Sequence, residues 1–358
     1  MDFRPSPAQQ LLAATAREFL KAHAGDADLW GQMAALGWPG LLIPPEHGGS
    51  GGSVLDVVLL VEEMGRAGAP GPFVASAVVA TSLLLSGTAD QRKRLLPAMA
   101  AGEQIVCVAV LDDGGSCDPD RITLKVDPAG RLTGHKLFVE AADVADALVV
   151  VARADDDLAP LLVPTDRPGV ARFPLDGIGV EPLFEVVLDG VMVNAEDHIA
   201  PAGAGRERLA RAFQTGALAR TAEMVGGAQR ILELTVEHAR TRVQGGRPIG
   251  GYQAIQHACA DLVRDVDAAR GLLYAAAWKA SEGAPADADV AMAKAYAGKA
   301  CLAVARRGHQ IFGAIGYCDE HPLHRLHKRI HAASLDCGDA ALHLETVARA
   351  IGLSSEGA

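Results

Sequence analysis

Apolar residues along this chain keep a helical spacing, lose it, and then recover it. Leu12, Ala16, Phe19 and Leu20 recur at three- and four-residue intervals behind Ser6-Pro7. A hydroxyl acceptor followed by a ring with a preset φ predicts a helix starting there. A Gly/Pro-rich break runs from Gly37-Trp38-Pro39-Gly40 through Pro44-Pro45 to Gly51-Gly52. Further helices are predicted from Val54 to about Gly65, with Leu59, Leu60 and Met64 inward, and over 77–85 and 89–101. Between about Gln104 and Asp197 the period shortens. Apolar or alternating runs at 105–110, 122–126, 132–139, 147–151, 161–163 and 185–191, with turn residues between them, predict strands. From about Glu207 the helical period returns in long segments: 215–242, 252–281, 287–313 and 335–351. Ala, Leu and Val dominate their apolar positions, which suits close packing in a bundle. The expected fold is mainly α with a central β-domain, divided as 1–103 (helical), 104–198 (β-barrel or sandwich) and 199–358 (helical bundle).

Composition narrows the classes. The 358 residues are 49% hydrophobic, enough for a full core, and carry a net charge of −11, which argues against a nucleic-acid protein. No apolar run reaches the roughly 20 residues of a membrane helix, and Met1-Asp2-Phe3-Arg4-Pro5 has no apolar signal core behind it. The six cysteines (107, 117, 259, 301, 318, 337) form no CxxC pair, so reduced thiols in a cytoplasm are expected and no zinc set is seen.

Three stretches carry chemistry. The first is Leu36-Gly37-Trp38-Pro39-Gly40 through Gly48-Gly49-Ser50-Gly51-Gly52, followed by Glu62-Glu63-Met64-Gly65-Arg66. By itself it also reads as a flexible Gly-rich loop, and no Gly-Lys-Ser/Thr makes it a phosphate loop. The second runs from Ala239-Arg240-Thr241-Arg242 through Gly245-Gly246-Arg247-Pro248-Ile249 to Tyr252-Gln253. Its arginine offers a planar donor fork that suits a pyrophosphate, and its glutamine offers donor and acceptor to sugar or adenine. Helix punctuation alone also explains it. The third is Gln310-Ile311-Phe312-Gly313-Ala314-Ile315-Gly316-Tyr317 with Glu320-His321 and His324. Small residues there let a backbone approach a phosphate, although a tight turn between helices has the same look.

Taken in order, the three stretches resemble the acyl-CoA dehydrogenase family over essentially the whole chain. The resemblance implies an N-terminal helical domain, a central β-domain, a C-terminal four-helix bundle, and FAD as cofactor. It implies that Arg242, Gln253, Gln310, Gly313 and Ala314 contribute to cofactor binding. It also implies α,β-dehydrogenation of an acyl-CoA substrate, in which a base removes the α-proton while hydride leaves the β-carbon. That proton is weakly acidic and needs a positioned base.

The departures from the family pattern point one way. Counting from Gln310, the place of the usual glutamate falls on Cys337. An ordinary thiol, with pKa about 8.5, is a poor base at neutral pH, and a small buried cysteine is the simpler reading. Some members place the base on an earlier helix, and here that place falls near Gly216. Asp336, Asp339 and Glu223 are the carboxylates close enough to consider as substitutes, and Asp339 reads more simply as an N-cap. Gly245 replaces a phenylalanine, Ala314 replaces a glycine, and Asp112-Asp113-Gly114-Gly115-Ser116 and Phe138-Val139-Glu140-Ala141 replace the family's flavin-facing segments in the β-domain.

Such losses match the branch of bacterial members, associated with sterol side-chain breakdown, that work as heterotetramers. In these, one chain brings the glutamate and the other lends residues to the adenosine half of the flavin. The expectation is therefore a cytoplasmic, non-catalytic subunit in lipid or steroid catabolism, partnered by a glutamate-bearing homologue as α2β2. Two other readings stay open: a self-sufficient dehydrogenase with an unconventional base, and a flavin monooxygenase on the same scaffold.

Overall fold

A computed structural model describes residues 4–154, 157–177, 181–199, 201 and 203–353 of the chain. Met1–Phe3, on which the reading of the chain start partly rests, and residues 354–358 lie outside the described residues.

The elements follow in the expected order. Helices α1 (Pro7–His23), α2 (Leu29–Ala35), α3 (Val54–Ala67), α4 (Thr81–Leu84) and α5 (Ala89–Ala100) precede strands β1 (Val106–Ala109), β2 (Arg131–Glu140), β3 (Ala147–Ala154), β4 (Asp157–Pro164), β5 (Val170–Leu175) and β6 (Leu183–Met192). Then come α6 (Gly205–Thr241), the short strands β7 (Val243–Gln244) and β8 (Arg247–Pro248), α7 (Gln253–Ser281), α8 (Asp287–Phe312), α9 (Leu323–Leu335) and α10 (Ala340–Ala350). Ser6 caps α1 as expected, in a reciprocal capping box with Gln9.

Contacts divide the chain into two compact units: Asp26–Val57 with Pro70–Gly216, and Met1–Gly25 with Val58–Ala69 and Ala217–Ala358. The first unit holds the β-region, two three-stranded sheets in the orders β1-β3-β4 and β2-β6-β5. β1 and β3 are parallel and the other pairs antiparallel. Leu148, Val150 and Val163 from one sheet and Leu132, Val186 and Leu188 from the other meet in one core. The run 122–126 forms no continuous strand, only isolated bridges from Lys125 to Arg153 and from Val126 to Leu132. The Asp112 carboxylate accepts the backbone N–H groups of Thr123 and Leu124, so those donors are unavailable to a ladder. Strand β5, which is largely exposed, shows no alternation that the sequence reading could find. The Gly-rich segment near residue 50 is a closed knot rather than a flexible loop. The N–H groups of Ser50, Gly51 and Gly52 return to the carbonyls of Gly40, Ile43 and Leu41. A Cβ on Gly49 would sit 2.0 Å from the Ile43 oxygen, so only glycine fits.

The second unit is helical. Its tightest point is the crossing of α3 and α6, where a Cβ on Gly226 would lie 1.9 Å from the Glu62 oxygen and one on Gly65 2.2 Å from the Glu223 oxygen. The two backbones touch there. Around this crossing Arg66 forms a bidentate pair with Glu233, Arg270 and Tyr274 bind Glu62, and Arg17 of α1 binds Glu63. The motif Glu62-Glu63-Met64-Gly65-Arg66 is thus a helix-crossing rivet. The expected helix 335–351 begins only at Ala340, as α10, and α9, which the sequence did not suggest, ends at Leu335; between them, at Asp336–Asp339, Cys337 and Gly338 take φ of +54° and +95°. Two consecutive residues in the left-handed region stop any α-helix. None of the described helices is long and apolar enough to cross a membrane.

Candidate functional site

The second unit carries the expected site residues at one end of its bundle. Arg242 ends α6, with its N–H returning to the His238 oxygen at 2.9 Å. The chain then turns through Gly245 and Gly246, at φ +63° and +83°, which explains the glycine pair between β7 and β8. Ile249 closes the turn with an N–H bond of 2.8 Å to the Arg242 oxygen. Gln253 opens α7 and is exposed. At the far end of α8, Gln310 is exposed on the last turn, and Gly313 breaks the helix with φ +67° and ψ −143°. Ala314 follows, exposed, in the short turn 313–317.

Two contacts join these segments. Ala239, Ile249 and Ile311 share an apolar cluster with Tyr252 and Ile255, and His238 stacks on Phe312 with ring centroids 4.4 Å apart. The Arg242–Gln253 turn and the Gln310–Ala314 turn are therefore held to one end of the bundle. No salt bridge or side-chain hydrogen bond among the described residues engages Arg242, Gln253 or Gln310. No atom lies within 4 Å of a Cβ built on Gly313, so the backbone there is open to a ligand. The phenylalanine missing at Gly245 has a local substitute. The Tyr252 hydroxyl donates to the Gln244 oxygen at 3.1 Å and lies 2.4 Å from where a Cβ on Gly245 would stand. Arg247 covers the Tyr252 ring at 4.0 Å. An aromatic ring therefore still lies at this turn.

Cys337 is buried, and its backbone is gripped on every side. Its N–H donates to its neighbour Asp336 at 2.8 Å, and its oxygen accepts from His343 Nε2 at 3.0 Å. Lys294 of α8, itself buried, donates to the oxygens of Ser334 at 3.1 Å and Gly338 at 2.8 Å. Asp336 is turned toward Arg220 at 2.6 Å, Arg220 binds Glu223 at 2.8 Å, and Glu223 binds Arg329 at 3.0 Å. Arg329 ends the chain of charges on the Ala69 oxygen at 2.6 Å. Burial raises the pKa of both Asp336 and Glu223, but their arginines overcome it and hold both below the ordinary carboxylate range. A carboxylate so stabilised as an anion is a weak base. Asp339 caps α10 through the Leu342 N–H at 2.9 Å. Gly216 lies buried within α6. The flanking carboxylates are thus committed to structure, and Lys294, which the sequence reading passed over, is the residue that fills the turn. Replacing Lys294 with methionine keeps the bulk and removes donors to two buried carbonyls. A loss of about 2 kcal/mol is expected, seen as a lower melting temperature with earlier proteolysis at 334–339. An unchanged melt would show that the clamp contributes nothing.

Several polar groups of the β-region also bind one another. Lys136 is fully buried and donates to the Val110 oxygen at 2.8 Å and to Asp112 at 2.5 Å. Asp112 also accepts from the Thr123 hydroxyl at 3.0 Å. Phe138 and Ala141 take positive φ of +55° and +54° within the segment that departs from the family pattern. His135 bridges Asp113 at 2.6 Å and Glu185 at 2.9 Å.

Comparison with known proteins agrees with this architecture. The family model "Acyl-CoA dehydrogenase, N-terminal domain" matches residues 6–103, and "Acyl-CoA dehydrogenase, C-terminal domain" matches 203–352. The chain is similar to acyl-CoA dehydrogenase FadE27 of Mycobacterium tuberculosis, at 31% identity over 90% of this chain and 88% of that one. Among solved structures it is similar to the ChsE4–ChsE5 complex of Mycobacterium tuberculosis, with TM-score 0.91, 29% identity and coverage of 99% of this chain and 100% of that one. A solved FAD-dependent dehydrogenase gives TM-score 0.93 at 26% identity, covering 99% of this chain and 100% of that one. The helix–strand–helix order, the ordered motifs and the full-length matches together place the chain in the acyl-CoA dehydrogenase family, whose members are FAD-dependent oxidoreductases.

Proposed function

We propose that this chain is the non-catalytic subunit of an FAD-dependent acyl-CoA dehydrogenase, and that it completes the FAD site of a glutamate-bearing homologous chain in an α2β2 heterotetramer. The observation that carries the reading is the Cys337 turn. Lys294, His343 and the Asp336–Arg220–Glu223 chain occupy it as a structural joint, with no carboxylate free to take a proton.

The residues fit one part of the cofactor. FAD, when bound, accepts the hydride that leaves the substrate's β-carbon. Toward it, the exposed guanidinium of Arg242 presents paired donors suited to a pyrophosphate, and Gln253 and Gln310 present donor and acceptor to ribose or adenine. Gly313 leaves its backbone open for close approach, and Ala314, next to it, is exposed. These groups suit the adenosine half. In the first of the departing segments of the β-region, Asp112 is spent on Lys136 and Asp113 on His135. The ChsE4–ChsE5 complex, a family structure named for two components, supports a two-chain assembly. Three working domains, 1–103, 104–198 and 199–358, a cytoplasmic location and a place in lipid or steroid catabolism belong to the same reading.

The test is co-expression. The chain produced alone is expected to carry little flavin and to show no acyl-CoA turnover. Produced with a glutamate-bearing homologue, it is expected to co-purify with flavin at 450 nm absorbance and with activity that depends on the partner's glutamate. Full flavin loading and turnover by the lone chain would overturn the subunit role in favour of a self-sufficient enzyme. Oxygen consumption with a flavin reductase would favour a monooxygenase.

A further inference from the structure

Five histidines gather behind the Gln310–Ala314 turn. His309 is buried on α8 and stacks on Tyr317 at 4.4 Å, with His327 of α9 at 5.0 Å on another side. Phe312, one turn on, stacks on His238 of α6 at 4.4 Å and meets His321 at 4.5 Å. His324 completes the group and donates from Nε2 to the Asp319 backbone oxygen, 3.3 Å away. The Nδ1 of His309 is buried with no hydrogen-bond partner among the described residues. A Cβ on Gly316 would come within 3.2 Å of that nitrogen, so the turn is packed directly onto the ring.

We infer that this ring stack, centred on His309 and Phe312, is a positioning element that presses the Gln310–Ala314 turn against the Arg242 end of α6, and that it does so only while its imidazoles are neutral, so that the turn loosens as pH falls. The inference rests on the cofactor-site reading for its functional meaning, although the stack itself does not. A second proton on His309 would sit on a buried nitrogen with no acceptor, which is costly. The groups facing the stack reinforce this. His238 faces Arg242 and His321, His309 faces His324 and His321, and His327 faces His309, His331 and Arg306. Asp319, 3.9 Å from His324 Nε2, is the carboxylate paired on this face. Burial first, and these like charges second, push His327 down to about 4 and His309, His238 and His321 below their usual value. With the folded pKa depressed, the neutral stack contributes fully above the ordinary histidine value of about 6.5, and its contribution is lost as pH falls below it.

Hydrogen exchange on the chain, together with any partner it purifies with, tests the inference. After correction for intrinsic rates, amides of 310–320 are expected to exchange about tenfold faster at pH 5.5 than at 7.5, the size of one shifted unit. His309→Gln is expected to reduce that response to threefold or less. Equal protection at both pH values, or an undiminished response in H309Q, would overturn the proposal. If H309Q does not fold, NMR titration of the wild-type imidazoles decides: His309 and His327 titrating at the ordinary value would sink it. ADP binding by calorimetry is the separate arm. Weaker binding at pH 5.5 supports the coupling, and affinity unchanged between the two pH values overturns it. No ADP binding at pH 7.5 overturns the adenosine-site reading and leaves the stack to be judged by exchange alone.

Discussion

Glu223→Ala is expected to destabilise the protein by about 3–5 kcal/mol, because it strands buried positive charge. Glu223 binds Arg220 and Arg329, and all three side chains are buried. Arg220 keeps its bond to Asp336, whose side chain is 47% exposed, whereas the bond Arg329 keeps to the Ala69 oxygen is to a neutral acceptor that does not balance its charge. Neutral Glu223→Gln, which preserves shape, is expected to cost less than alanine. Replacing Arg220, Glu223 and Arg329 together by apolar residues of similar volume is expected to recover much of the loss, since removing a whole buried ionic group also removes its desolvation cost. The sign with pH follows from the depressed carboxyl: the stabilisation is complete above the ordinary glutamate value of about 4.3 and is lost as pH falls beneath it. Urea titrations of the three variants check this. A loss below about 1 kcal/mol for E223A would show that the chain of charges is ornamental and would reopen Glu223 as a candidate base.

Gly226→Ala is expected to cost about 3 kcal/mol, although helix propensity alone predicts a gain of up to about 1 kcal/mol for glycine to alanine within a helix. Steric exclusion wins because the clash is with backbone. The new methyl would stand 1.9 Å from the Glu62 oxygen and 2.8 Å from the Arg66 nitrogen. Neither can rotate away, so α3 and α6 must part, and the Arg66–Glu233 and Arg270–Glu62 bridges beside the crossing must stretch with them. Gly271 is the internal control. It lies exposed on α7 with no atom within 4 Å of a built Cβ, so alanine there is expected to show the propensity gain unopposed. Thermal melts of both variants measure the difference. A neutral or stabilising G226A would mean that the two helices can separate cheaply and that the crossing does not fix the bundle.

The residues that mislead in a linear reading do so for identifiable reasons. Residues 122–126 alternate as a strand should, yet the carboxylate of Asp112 takes the backbone donors of Thr123 and Leu124 and leaves only isolated bridges at Lys125 and Val126. The helix expected from Leu335 starts at Ala340, because the apolar Leu335 ends α9 instead of opening α10. Cys337 has no sequence signature for a positive φ, and its conformation is imposed by Lys294 and His343 holding the surrounding carbonyls. Gly245 looked like a lost aromatic surface, and Tyr252, seven residues on, brings a ring to the same turn. The five histidines of the ring stack were visible as residues but not as a cluster, since α7 and most of α8 separate His238 from the others.

Local rules were sufficient for the elements and their order. Capping at Ser6 and Asp339, the glycine pair at 245–246 and the change of period near residue 104 act over a few residues and are written in the chain itself. They also sufficed to show that no glutamate stands at position 337 or 216. Tertiary structure alone decided what the remaining charged groups are for. Whether Glu223 is a base or a tether depends on Arg329, 106 positions away, and whether Cys337 marks a vacant site or a joint depends on Lys294, on another helix. Electrostatics and steric contact act through space, so distance along the chain carries no record of them until the helices have packed.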